Sequence, residues 1–209
     1  MPKAEPFESH TERYEGWFEE HEAAYQSELE ALRRLVPTTG YGIEIGVGSA
    51  RFAAPLGMQV GIDPAGKMLE YAREREIEVV KGVAESLPFK DGTFDTALIV
   101  TTICFVDDIP QTLTEAARVL RPDGALVIGY IDKNSPVGEV YQETQSQNPF
   151  YREAVFVSTE ELVEALETAG FTDFEFVQTI YHWPGEIEKA EPIESGYGEG
   201  SFVGIKATR

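Results

Sequence analysis

The chain has a single cysteine, Cys104, which rules out an internal disulfide and any metal site built from several cysteines. It also lacks a long apolar run. The longest mostly apolar stretch, residues 97–106, is too short to cross a bilayer and is interrupted by Thr101 and Thr102. No basic segment followed by an apolar one opens the sequence, so no secretory leader is expected and a cytoplasmic location is. Basic residues are scarce, 17 against 37 acidic ones, for a formal charge of −20. Such a surface repels phosphate backbones and anionic lipid, which argues against nucleic-acid and membrane partners. Most of the acids are glutamates spread over helix faces, where they solvate the exterior. The same excess would attract a small cationic molecule.

What is present is an alternation of helical and strand patterns without internal repeat. The length of 209 residues suits one domain with a substantial core. Near the N-terminus, Tyr14, Trp17, Phe18, His21, Tyr25, Leu29 and Leu32 recur every three or four residues. That spacing predicts a long amphipathic helix ending near Pro37. Strands are predicted over 43–47, 58–62, 78–83, 93–101 and 125–131. Asp108 is placed to cap a helix carrying Pro110 in its first turn, and Pro122, Asp123 and Gly124 stop it. Regularity lapses over 132–157, which reads as a lid-like insertion above the ligand edge of the sheet. Ser158 and Glu161 form a capping box for a further helix ending at Gly170, and two closing strands cover 171–181 and 201–207.

Residues 42–65, GIEIGVGSARFAAPLGMQVGIDPA, carry the chemistry. They read as a buried strand, a turn made tight by Gly46 and Gly48, a helix capped by Ser49, and a second strand closed by Asp63. Ligands bind at the carboxyl ends of strands in open parallel sheets, and an acid there can take both hydroxyls of a ribose. A strand-end aspartate can also simply cap the next helix.

This chain resembles the class I S-adenosylmethionine-dependent methyltransferases, in particular their small-molecule, type 11-like branch. Glu44-Ile45-Gly46-Val47-Gly48 matches the acidic-x-Gly-x-Gly signature, and Gly61-Ile62-Asp63-Pro64 the ribose-binding turn. Residues 82–89, GVAESLPF, look like the adenine loop, and 119–125, VLRPDGA, complete the pattern. The resemblance is strong over 40–131 and follows the element order of the whole chain. It implies an α/β, Rossmann-like three-layer sandwich around a seven-stranded, mostly parallel sheet of order 3-2-1-4-5-7-6 with the last strand antiparallel. All 209 residues would form one methyltransferase domain: an N-terminal helical cap (1–37), a cofactor-binding core (38–131), the insertion (132–157) and a closing helix and strands (158–209).

The implied cofactor is S-adenosylmethionine, with S-adenosylhomocysteine as product and no metal. Gly46 and Gly48 would let its amino-acid portion approach the backbone, Glu44 would hold the turn and the ammonium, and Asp63 the ribose. Pro64 follows in the ribose turn, Met68 and Leu87 would wall the adenine, Ala84 would donate its N–H to the ring, and Thr101 would lie under the methionine part. Two departures stand out. Ala50 replaces a third glycine, a mild change if it begins the helix. Val83 stands where relatives often have an aspartate that accepts from the adenine amine, so either Glu85 takes over that contact or the contact is lost.

Methyl transfer to a small-molecule acceptor, cationic or an amine, would depend on alignment and exclusion of water rather than on acid–base groups. If an ammonium must lose a proton first, Tyr14, His21, Tyr130 and His182 are the candidate bases. Tyr14, Trp17 and Phe18 could form a substrate lid whose aromatic faces favour cations, or could merely pack the helix on the sheet. Two other readings stay open: a non-catalytic module that binds S-adenosylmethionine, and a nicotinamide-dependent oxidoreductase. Arg51 disfavours the oxidoreductase, because it stands where that fingerprint wants a small residue. The acceptor atom and the oligomeric state do not follow from the chain.

Overall fold

The computed structural model describes residues 3–209. Helices α1 (Glu5–Ser9), α2 (Thr11–Glu20) and α3 (Glu22–Leu35) replace the single long N-terminal helix expected from the periodicity. The chain turns at His10 (φ −125°, ψ 33°) and again at His21 (φ −121°, ψ 40°). A straight helix over 11–35 would run roughly 37 Å at 1.5 Å per residue. The breaks instead fold the aromatic stripe back, so that Phe18 and Tyr25 both meet the edge of Phe52.

The sheet is built from β1 (Gly42–Ile45), β2 (Val60–Asp63), β3 (Glu78–Lys81), β4 (Phe94–Val100), β5 (Leu120–Ile131), β6 (Thr172–Thr179), β7 (Glu194–Ser195) and β8 (Phe202–Thr208). Its order is β3-β2-β1-β4-β5-β8-β6-β7. This is the expected Rossmann-like order with one addition. The two-residue β7 pairs with β6 at the edge, making eight strands where seven were expected. Strands β1 to β5 are parallel, and β8 is antiparallel to both β5 and β6.

Alternation along the central strands sends residues to opposite faces, as a period of two requires. Ile43, Ala97, Ile99, Leu126 and Ile128 pack on one face with α5 (Ile109–Val119) and α7 (Thr159–Thr168). Leu98, Val100 and Val127 pack on the other with Leu32, Leu35 and Phe52. Helix α4 (Gly66–Glu74) links β2 to β3, and α6 (Pro136–Glu143) lies within the 132–157 insertion. The caps are as expected. Asp108 accepts from the Gln111 N–H, and Ser158 and Glu161 make a reciprocal capping box.

The helix expected between β1 and β2 does not form. Residues 51–57 are successive turns, with isolated bonds from Ala54 N–H to Ala50 O and from Leu56 N–H to Phe52 O. Ala50 has φ 64° and Gly57 φ 75°, values that interrupt a right-handed helix at both ends of the segment. Ala50 is therefore not a helix start but a left-handed residue, where glycine would be unstrained. Phe52, Ala53 and Leu56 are buried nonetheless.

Candidate functional site

The carboxyl ends of β1, β2, β4 and β5 open onto a cavity of about 420 Å³, roofed by α1, α2, α3 and residues 148–151. That volume falls in the range of about 300–1,000 Å³ typical of small-ligand sites. The floor is the glycine turn. The N–H groups of Gly46 and Val47 donate to Ile62 O at 2.8 and 3.0 Å, which ties the end of β1 to β2. Gly46 has φ 74°, and a Cβ there would stand 2.1 Å from Thr102 Cγ2. Thr102 in turn donates its hydroxyl toward Gly46 O. This position has no room for a side chain.

Asp63 at the end of β2 lines the cavity. Its Oδ2 accepts from Gly48 N–H at 2.9 Å and its Oδ1 from Ala65 N–H at 2.8 Å. It thus braces the glycine turn and the start of α4 at once. Burial pushes its carboxyl up to about 6, helped by the Glu8 carboxylate and opposed by the two backbone donors.

Gly46, Gly48, Pro64, Met68, Ala84, Glu85 and Thr101 line the same cavity. Thr101 has φ 47°, a left-handed conformation rare for a β-branched residue, and its N–H donates to Gly129 O at 2.7 Å. Backbone strain of this kind is found at strand ends that carry ligands. Val83 also faces the cavity and offers no acceptor. Glu85 has another tie. Its Oε1 accepts from the N–H groups of Asp107 and Asp108 at 2.6 and 3.3 Å, fastening the loop after β3 to the start of α5.

Two expected contacts lie off the cavity wall. Glu44 is buried behind the turn, where burial drives its carboxyl well above the usual range, and Asp63 adds to this against a bond from the Ala53 backbone. Its Oε2 has no protein partner among the described residues, an orphaned oxygen directly beneath the turn expected to take the cofactor's amino-acid end. Leu87 packs into the core instead of walling the cavity, with its N–H donating to Glu115 Oε2.

Tyr14, Trp17, Phe18 and His21 form part of the roof. Tyr14 meets Phe7 and Phe18 edge to face at 5.7 and 5.2 Å, and burial raises its hydroxyl far above the ordinary tyrosine value. The His21 ring stacks on Trp17 at 4.9 Å, with Nδ1 3.1 Å from Trp17 O. The other two candidate bases do not reach the cavity wall. Tyr130 places its hydroxyl 2.6 Å from Thr159 Oγ1, which itself donates to Asp132 Oδ2. His182 is exposed and pairs with Glu191 through Nδ1 at 2.5 Å.

Sequence reasoning did not single out Phe105, Tyr141, Phe150 and Tyr151, which with Trp183 make a second aromatic wall, nor a carboxylate, Glu28. The aromatic residues come from loops and from the insertion, where no periodicity marks them. Glu28 had a signal. It falls on the α3 stripe of Ala24, Ala31 and Leu35, an acid on a face that is otherwise apolar.

Comparison with known proteins bears on this site. Residues 43–128 match a family model described as a methyltransferase domain. A crystal structure from Thermotoga maritima, described as an S-adenosylmethionine-dependent methyltransferase and "possible histamine N-methyltransferase", is 47% identical. It covers 98% of this chain and 99% of its own, with a TM-score of 0.96. An uncharacterized protein of Methanocaldococcus jannaschii is 41% identical over 203 residues, covering 97% of this chain and 98% of its own. A Haloferax volcanii methyltransferase solved in complex with the activator Trm112 is 17% identical with a TM-score of 0.72, a likeness of fold alone.

Proposed function

This chain belongs to the S-adenosylmethionine-dependent methyltransferases, and from that premise we propose that it methylates a small, positively charged acceptor, an amine above all. The observation that carries this reading is the make-up of the cavity wall. Glu20, Glu28, Asp63, Glu85 and Asp107 face it against Lys3 and Arg13, and most of the remaining surface is aromatic or aliphatic. Acidic groups and aromatic faces in a water-poor cleft both favour cations.

When bound, S-adenosylmethionine supplies a methyl group already activated on a sulfonium, so no acid–base dyad is needed. The chain's own residues do the positioning. Asp63 would accept from the ribose hydroxyls, and the backbones of Gly46 and Thr101 would border the amino-acid portion. Ala84 would offer its N–H to the adenine, whose amine meets no acceptor at Val83. Tyr14, Trp17 and Phe18 would cover the sulfonium and exclude water, as a lid does. The 132–157 insertion contributes Tyr141, Phe150 and Tyr151 to the wall, which supports its reading as the other half of that lid.

Transfer of a labelled methyl from the cofactor to a panel of amines tests the proposal. Histamine belongs in the panel because of the Thermotoga maritima relative. Label appearing in amines and not in their neutral counterparts is the expected result. A panel in which only neutral or anionic compounds are methylated would sink it.

A further inference from the structure

Glu28 is the group that the cofactor frame does not use. It is 5% exposed, it lines the cavity from α3, and its carboxyl has no hydrogen bond or ion pair with any described residue. Glu15, on α2, is a contrast: that carboxylate is held by Arg51 and Arg75 at 2.8 and 2.6 Å. Desolvation disfavours a carboxyl left without a protein partner, and an apolar side chain would fill the same place without that cost. Among the described residues the fold supplies no partner for it, which points to a ligand.

Position separates that ligand from the cofactor. Among carboxylates, Glu28 is the one whose charge acts on both Tyr141 and Tyr151. Asp63, at the ribose end, acts on Glu44 and on neither of those two rings; both acids act on Tyr14, which stands between them. Tyr141 stacks on Tyr151 at 4.8 Å and meets the edge of Trp183 at 6.0 Å, so three aromatic rings stand on the Glu28 side of the cavity.

We propose that Glu28 binds a cationic nitrogen of the acceptor, whose carbon skeleton lies against Tyr141, Tyr151 and Trp183. The proposal rests on the methyltransferase reading above and adds the residue that selects the substrate. An ammonium would supply the charge partner that Glu28 lacks, and the rings would supply cation–π and apolar contact. Burial pushes the Glu28 carboxyl up to about 8, so an arriving cation would also favour its ionised form.

The test is calorimetry on the full-length protein, with S-adenosylhomocysteine first and then phenethylamine, tryptamine and phenethyl alcohol in its presence. In the wild type the amines should bind and the alcohol should bind far more weakly. Glu28→Gln should weaken amine binding by about 30-fold or more, the scale of removing one partner from a buried charge pair, and leave S-adenosylhomocysteine within two-fold (roughly the non-additivity between separate sites). Glu28→Leu should do the same while unfolding at an equal or higher temperature, because it removes an unpaired buried acid. Amine affinity unchanged in Glu28→Gln would overturn the proposal. So would failure of every amine to bind wild type that holds S-adenosylhomocysteine, an outcome that leaves the cofactor reading intact. Failure of S-adenosylhomocysteine itself to bind would instead overturn the reading on which the proposal rests.

Discussion

The Asp63 carboxylate accepts the Gly48 N–H at 2.9 Å, so the acid expected to hold a ribose is also the strut of the glycine turn. One side chain joins β1's turn, β2's end and α4's start. Removing it therefore affects the ligand and the frame together. Asp63→Ala should weaken S-adenosylhomocysteine binding by about 1.5–3 kcal/mol, the range for hydrogen bonds to charged groups. Calorimetry decides this, and unchanged affinity would remove the ribose assignment.

The same residue sets a pH dependence. Its folded value of about 6 lies above the ordinary 3.8, so the folded chain binds more protons than the unfolded one between those limits. Asp63's contribution to stability is thus fully present below about 4 and is lost as pH rises through about 6. Ribose hydroxyls donate best to the ionised carboxylate, so ligand affinity should move the opposite way, rising through pH 6 and levelling above it. Titrations between pH 5 and 8 should show that rise in the wild type and a flat profile in Asp63→Asn.

Gly46 tolerates nothing larger. With φ 74° and Thr102 Cγ2 at 2.1 Å from the place of a Cβ, Gly46→Ala should distort the turn and abolish S-adenosylhomocysteine binding. A drop in unfolding temperature should accompany it, since strain in a left-handed turn and a core clash both oppose the native state. Gly16, where a Cβ would meet nothing within 4 Å, makes the control. A Gly46→Ala protein that binds normally would refute the placement of the pocket.

Much of this frame was legible in the sequence. The caps at Asp108 and Ser158 and the path of the glycine turn rest on local signals, a residue beside a known break, whereas the order of strands came through the family resemblance and the handedness of crossovers. What was hidden depends on segments distant in sequence. The bends at His10 and His21 occur at residues with no strong helix-breaking propensity, and the packing of Phe18 and Tyr25 on Phe52 from either side accounts for the one at His21. Glu85 reads as a free loop acid until α5 delivers the N–H groups of Asp107 and Asp108 to it. Residues 51–57 have the apolar spacing of a helix but are preceded by Ala50 and closed by Gly57, both left-handed.

Tyr130 offers a clean separation of structural from chemical roles. Its hydroxyl belongs to the Thr159–Asp132 network and not to the cavity. Tyr130→Phe should cost about 1 kcal/mol of stability, the net worth of one hydrogen bond, and leave methyl transfer within about two-fold. Urea unfolding and label transfer check the two halves. A large fall in kcat at unchanged stability would return Tyr130 to the list of bases.

Glu15 fastens α2 to the turns after β1 through Arg51 and to the end of α4 through Arg75. Burial raises its carboxyl, yet the bonds from the Arg75 and Arg51 guanidinium groups outweigh this and hold it below its ordinary value. Its stabilisation is present above the usual carboxylate range and disappears as pH falls through the lowered value. Glu15→Ala should destabilise by roughly 2–4 kcal/mol at neutral pH, because it leaves two half-buried cations without their shared partner, and that loss should shrink in acid. Denaturation at pH 7 and pH 3 measures the difference.

Above the cavity, Phe7 touches Tyr14, Phe105 and Phe150, rings carried by α2, the loop after β4 and the insertion. One side chain near the start of the chain is therefore the keystone of a vault whose other stones come from three separate stretches. Lifting any one of them means parting it from Phe7. If this roof is the lid proposed above, admission of a substrate and release of a product would be a single concerted opening rather than the swing of one side chain, and the rhythm of turnover would be set at the roof rather than on the floor.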